Sequence, residues 1–126
     1  MKKIITTDKA PAPIGPYNQA VLLGNLLYTS GQIAINPKTG ALEIDDIEKE
    51  TKLVMENLKA ILEEAGMTFE NVIKSSIFVS DMHNFSKINK IYGQYFNAET
   101  APARETVEVA NLPKFVNVEI SVIAVK

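Results

Sequence analysis

The run Val116–Val125 constrains this chain more than any other segment. It reads as a long strand, and successive side chains of a strand point to opposite faces. Val118, Ile120, Val122 and Ala124 share one side, while Asn117, Glu119, Ser121, Ile123 and Val125 share the other. Both sides carry apolar residues, so both faces of the sheet call for a cover.

The rest of the chain supplies only two helices for that purpose. Ile47, Thr51, Val54, Leu58, Ile61, Leu62 and Ala65 recur at helical spacing and predict a helix over 47–65. Asp45 or Asp46 can cap its start and Gly66 its end. A second helix is expected over about 84–97, with Phe85, Ile88, Ile91, Tyr92 and Tyr95 on one face. Further strands are read at 2–6, 20–23, 26–30, 72–80 and 104–109. Gly24-Asn25 turns the second into the third. The order β-β-β-α-β-α-β-β gives an α+β fold of one domain, 1–126, with both helices on one sheet face. The face left over is expected to bury itself against another copy of the chain, which predicts a homo-oligomer.

Composition narrows the function. The formal charge is −2, and lysines are scattered, which argues against a nucleic-acid partner. There is no cysteine and one histidine, so the usual zinc sites are excluded, and no dinucleotide or phosphate-loop motif is present. No apolar run is long enough for a signal peptide or a membrane span, so a cytoplasmic protein is expected.

Four segments hold polar or backbone-special residues that a packed strand does not need: 13–20, Ser30-Gly31-Gln32, Pro102–Val107 and Val118-Glu119-Ile120. Arg104 follows a proline-stiffened turn and points to the same side as Thr106. It reads either as a surface arginine, paired for example with Glu108, or as a planar fork for a carboxylate. Glu119 reads either as a solvated or structurally paired acid, or as a group that handles water. Tyr17 is either a half-buried ring or a cleft hydroxyl. Ser30-Gly31 is either a turn or a hydroxyl beside backbone that a ligand can approach. His83, beside Asp81, is expected at the surface or in a cap.

Seven pieces of sequence occur together in one order: Ala10–Ala20, Tyr28–Gln32, Asn57–Leu62, Asp81-Met82, Tyr92–Phe96, Pro102-Ala103-Arg104 and Val118-Glu119-Ile120. In these the chain resembles the RidA/YjgF family of reactive-intermediate deaminases over essentially its whole length. The resemblance implies a chorismate-mutase-like α+β fold and a homotrimer whose sheets form a central barrel, with helices outside and clefts between subunits. It implies hydrolysis of 2-imino or 2-enamino acids such as 2-aminoacrylate and 2-iminopropionate to 2-keto acids and ammonia, with no cofactor and no metal. Carried over by position, Arg104 holds the substrate carboxylate, Glu119 positions or activates water, Tyr17 lines the cleft, and Ser30 with Gly31 lies near the ligand. Many members read Ala-Arg-Ser-Cys-Val where this chain has Ala103-Arg104-Glu105-Thr106-Val107. Thr106 therefore offers a hydrogen bond at the ligand where relatives offer a thiol. Two other readings stand beside this one: a trimeric sensor that binds small carboxylates without turning them over, and an RNA-acting relative.

Overall fold

A computed structural model describes residues 1–126. Helix α1 (Ile47–Glu64) begins where the Asp46 carboxylate accepts the Lys49 N–H at 3.0 Å. It ends where Gly66 turns left-handed at φ +73. There the Met67 and Gly66 N–H groups return to the Leu62 and Glu63 carbonyls at 2.8 and 3.0 Å, closing a Schellman motif. The apolar stripe read from spacing is the buried one: Val54, Leu58, Ile61 and Leu62 are all fully buried. Each such side chain contributes about 1.5–3 kcal/mol relative to exposure.

Six strands form one sheet in the order β1-β2-β3-β6-β4-β5. They are β1 (Lys2–Ile5), β2 (Ala20–Leu23), β3 (Leu26–Thr29), β4 (Val72–Val79), β5 (Ala103–Glu108) and β6 (Val118–Val125). Only β4 and β5 run parallel, joined by the crossover that contains α2 (Phe85–Gly93). The expected helix over 84–97 is thus shorter at its end. Beyond Gly93 the chain tightens, with Tyr95 and Phe96 N–H groups reaching the Tyr92 and Gly93 carbonyls. Residues 82–84 form a separate short turn of 3-10 helix capped by Asp81, and His83 stays at the surface.

Both helices join one sheet face in a single core that includes Val54, Leu58, Ile77, Ile88, Ile120 and Val122. The opposite face is the uncovered one. Register places Ile4, Val21 and Tyr28 in one row across it, continuing to Ile123. Leu23 remains 53% exposed, Tyr28 49% and Val107 42%. An apolar sheet face this open in a chain with two helices is the feature anticipated from β6.

Candidate functional site

A pocket of about 380 Å³ opens where the ends of β3 and β6 meet the proline-rich N-terminal segment. Tyr17, Ser30, Gly31 and Glu119 line it together, with Ile33 and Pro113 on its apolar wall. Two backbone bonds fix the geometry. The Gln32 N–H donates to the Ile120 carbonyl at 2.8 Å, and the Ile120 N–H returns to the Gln32 carbonyl at 3.1 Å. This bridge sets Gly31 diagonally from Glu119 and brings it up against the Glu119 side chain. A Cβ at position 31 would come within 2.7 Å of the Glu119 Cδ and 2.9 Å of its Oε2. Glycine is needed there because the carboxylate occupies the space a side chain would fill.

Glu119 is half-buried on the uncovered side of β6. Burial pushes its pKa above the ordinary value of 4.5, with no hydrogen bond or neighbouring charge offsetting it. A carboxyl raised this way binds its proton more readily than a solvated one does. The Ser30 Oγ donates to the Asn18 carbonyl at 2.5 Å, so its lone pairs remain to accept from a ligand. The Tyr17 ring is 47% exposed. Its oxygen accepts a long bond, 3.4 Å, from the Ile14 N–H, which leaves its own O–H to donate.

Three buried polar side chains hold these walls; Gln19 and Asn57 fall in segments singled out from the sequence, but no structural role was read for them, and Glu50 was not singled out at all. The Gln19 amide accepts from the Thr7 N–H at 2.7 Å and donates to the Thr7, Ala10 and Pro11 carbonyls at 2.9, 3.2 and 2.9 Å. It fastens the segment whose prolines cannot donate to a ladder. On α1, the Asn57 amide donates to the Ile33 and Ile35 carbonyls at 3.2 and 3.1 Å. Glu50, fully buried, accepts the Asn117 N–H and side-chain amide at 2.8 and 2.7 Å, at the entry to β6. Burial raises the Glu50 pKa, and the Asn117 bonds pull against that rise. Glu50 and Asn57 share the buried stripe of α1 with Val54 and Leu58. A polar residue on an apolar stripe is the signal that could have found them.

The turn that leads from Pro113 into β6 is strained. Lys114 and Phe115 both adopt left-handed backbone, φ +55 and +57. A non-glycine residue there costs about 1–2 kcal/mol.

Arg104 and Thr106 lie elsewhere. They share one side of β5, as alternation predicted, and register with Ser75 and Ile77 of β4 shows that it is the helix side. Glu105 points to the other side, where its carboxylate meets the Lys74 ammonium at 2.9 Å and the Ser76 hydroxyl at 2.5 Å. The Thr106 Oγ1 is buried without a partner. Arg104 makes no pair with Glu108, whose carboxylate accepts the Met82 N–H at 2.7 Å. Instead its Nη1 donates to the Asn89 side-chain carbonyl of α2 at 2.7 Å. Its guanidinium carbon stands 5.0 Å from the Tyr92 ring centroid and 5.6 Å from that of Phe85. Cation–ring contacts of this kind contribute about 0.5–1 kcal/mol each at exposed positions. Within one chain, then, Tyr17, Ser30, Gly31 and Glu119 come together, and Arg104 and Thr106 do not join them.

No three of the chain's His, Asp and Glu side chains gather as a metal site would require. No helix is long and apolar enough to cross a membrane.

This combination of a six-stranded α+β sheet, two helices on one face and a carboxylate-bearing pocket at the sheet's end defines a known class of small proteins. The family model described as Endoribonuclease L-PSP matches residues 7–126, and the chain belongs to that family, the RidA/YjgF proteins. A RutC family protein of Pyrococcus horikoshii is 51% identical over 126 residues, covering 100% of this chain and 99% of the relative. The 2-iminobutanoate/2-iminopropanoate deaminase of Salmonella typhimurium is 46% identical over 128 residues, covering 100% and 99%. Among solved structures, the Rid-family protein YyfA of Yersinia pestis superposes with a TM-score of 0.97 at 48% identity, covering all of both chains. Escherichia coli TdcF with bound serine superposes with a TM-score of 0.92 at 44% identity, covering 98% of each.

Proposed function

We propose that this protein hydrolyses small 2-imino and 2-enamino acids, such as 2-iminopropanoate and its tautomer 2-aminoacrylate, to 2-keto acids and ammonia. The observation that carries this reading is Glu119. It is a half-buried carboxylate with no partner in the protein, raised in pKa, facing a pocket across a glycine that leaves it room. Keeping such a group has an energetic cost that packing does not explain. The deaminase of Salmonella at 46% identity supports this substrate class, and the serine-bound TdcF structure supports a small carboxylate-bearing ligand.

The chemistry needs little. An imine carbon is already electrophilic. Glu119 takes a proton from water as the oxygen attacks that carbon and gives it to the nitrogen, which leaves a neutral carbinolamine. The carboxylate then takes the carbinol O–H proton and delivers it to the same nitrogen as the C–N bond breaks, so that ammonia leaves and the carbonyl forms. Orientation and proton transfer are each worth on the order of a few kcal/mol, enough for so reactive a bond. Tyr17 donates to the substrate and the Ser30 oxygen accepts from it.

The carboxylate anchor in this proposal is Arg104 of a neighbouring copy, with Thr106 beside it, in a homotrimer whose clefts lie between subunits. Two features support the assembly. The apolar sheet face lacks a cover within the chain. Arg104, exposed at the edge strand, points away from its own chain's pocket. Guanidinium and carboxylate match as planar forks, so the anchor fixes the imine carbon relative to Glu119.

The test is the Arg104→Ala variant supplied with 2-iminopropanoate generated in place, with ammonia and keto acid followed over time. A fall of at least about a hundredfold in kcat/KM is expected, in line with loss of an anchoring charge pair. Undiminished turnover by a folded variant overturns the assignment. If wild-type protein binds 2-keto acids and yields no ammonia from imines, the carboxylate-sensor reading replaces this one.

A further inference from the structure

The rings beneath Arg104 are the end of a continuous aromatic row. Phe69 meets Phe96 edge-on at 5.3 Å, and Phe96 meets Tyr92 at 4.7 Å. The guanidinium of Arg104 then stands 5.0 Å from the Tyr92 centroid. Tyr92 is fastened at its other end as well. Its hydroxyl donates to the Ser75 Oγ at 2.9 Å, and Ser75 is the fully buried β4 residue in register with Arg104. The ring is 5% exposed, so packing leaves it no second position.

Arg104 itself is exposed, and a free arginine side chain explores many rotamers. Here its plane is set by the faces of Tyr92 and Phe85, and its rotation by Asn89. All three supports are uncharged. Arg104 forms no ion pair within the chain, and among its nitrogens only Nη1 has a protein acceptor. The cation is therefore held still without being neutralised, and Nη2 and Nε keep their N–H groups for an incoming anion.

We propose that Tyr92 is a positioning residue for Arg104. Gripped at the ring by Phe96 and at the hydroxyl by Ser75, it presents the guanidinium in one pose, so that a carboxylate meets a preformed fork. The functional half of this claim rests on Arg104 being the carboxylate anchor. Its conformational half does not.

The experiment uses the full chain, labelled for arginine side-chain NMR, as wild type, Tyr92→Phe and Tyr92→Leu. The order of the Arg104 Nε–H group is measured without ligand, and steady-state kinetics with 2-iminopropanoate are measured in parallel. Wild type and Tyr92→Phe are expected to show an ordered Nε–H, because phenylalanine keeps the ring under the cation. Tyr92→Leu is expected to show a mobile one. Its KM should rise about tenfold with kcat held within about threefold, the pattern of weakened binding rather than lost chemistry. Adding Arg104→Ala to Tyr92→Leu should cost no more than Arg104→Ala alone.

An Arg104 Nε–H as ordered in Tyr92→Leu as in wild type overturns the proposal, as does a fall in kcat at unchanged KM. If wild type itself turns over no imine, the proposed deaminase activity fails, and the NMR comparison still decides the role of Tyr92. Should Tyr92→Leu not fold, Phe85→Leu removes the other ring from a half-buried position, with the same readouts and the same criteria.

Discussion

Arg104 and Glu119 stand on opposite faces of one sheet. Register puts Arg104 in line with Ser75, beneath α2, while Glu119 lines up with Phe78 and Val107 on the uncovered side. No rotamer brings the two together through the sheet. If both serve one substrate, they must come from different copies of the chain, and the open apolar face is where those copies would meet.

Glu119→Gln separates function from stability. Burial raises the folded-state pKa of Glu119 above the value of 4.5 it has when solvated. The folded chain therefore binds this proton more tightly than the unfolded chain. Its contribution is most favourable below pH 4.5 and is lost as pH rises through the folded pKa. At neutral pH the amide should match or exceed wild type in thermal stability, while turnover falls roughly 10²–10⁴-fold. The acid limb of the wild-type pH–rate profile should lie above 4.5 and vanish in the variant. A profile unchanged by the substitution would remove Glu119 from the chemistry.

Gly31→Ala tests the close approach. The new methyl would overlap the Glu119 carboxyl, with contacts of 2.7 to 2.9 Å, and the carboxylate end is the part free to move. Turnover should drop about as far as in Glu119→Gln, with a loss of stability of about 1–2 kcal/mol from the strained contact. Urea unfolding and kcat measured together check this. Normal kcat would mean that the position of the carboxylate is not what matters.

Gln19→Ala tests the clamp on the proline-rich segment. Four hydrogen bonds vanish, leaving a buried Thr7 N–H and three carbonyls to find other partners. Stability should fall by about 2–4 kcal/mol. Proteolysis should begin within residues 7–16, and KM should rise because Tyr17 loses its support. Protection of that segment equal to wild type would assign its order to something other than Gln19.

Much of this architecture was legible in the sequence because it follows from local periodicity. The α1 stripe, the alternation of β6 and the Gly66 terminus all depend on residues a few positions apart. The same alternation put Arg104 with Thr106 and against Glu105. It could not say that Arg104 and Glu119 occupy opposite faces, because each strand's phase is fixed only by its register with β4, far away in sequence. The end of α2 was read too far, since Tyr95 and Phe96 are half-buried by packing on Phe69 and not by continuing the helix. Gln19, Glu50 and Asn57 were missed for a related reason. Their partners lie 8 to 67 residues away, and a polar side chain alone does not announce a long-range bond. Gly31 was read as backbone open to a ligand, and its first neighbour is the side chain of Glu119.

The most direct test is complementation between two inactive variants. Arg104→Ala and Glu119→Gln protein are unfolded together in equal amounts and refolded into mixed assemblies. Where each cleft takes its arginine from one chain and its glutamate from the next, random mixing leaves about a quarter of the clefts with both native residues. Activity on 2-iminopropanoate should return to about a quarter of wild type, while each variant refolded alone stays inactive. Mixed assemblies as inactive as their parents would show that the two residues do not meet between chains, and would contradict the account.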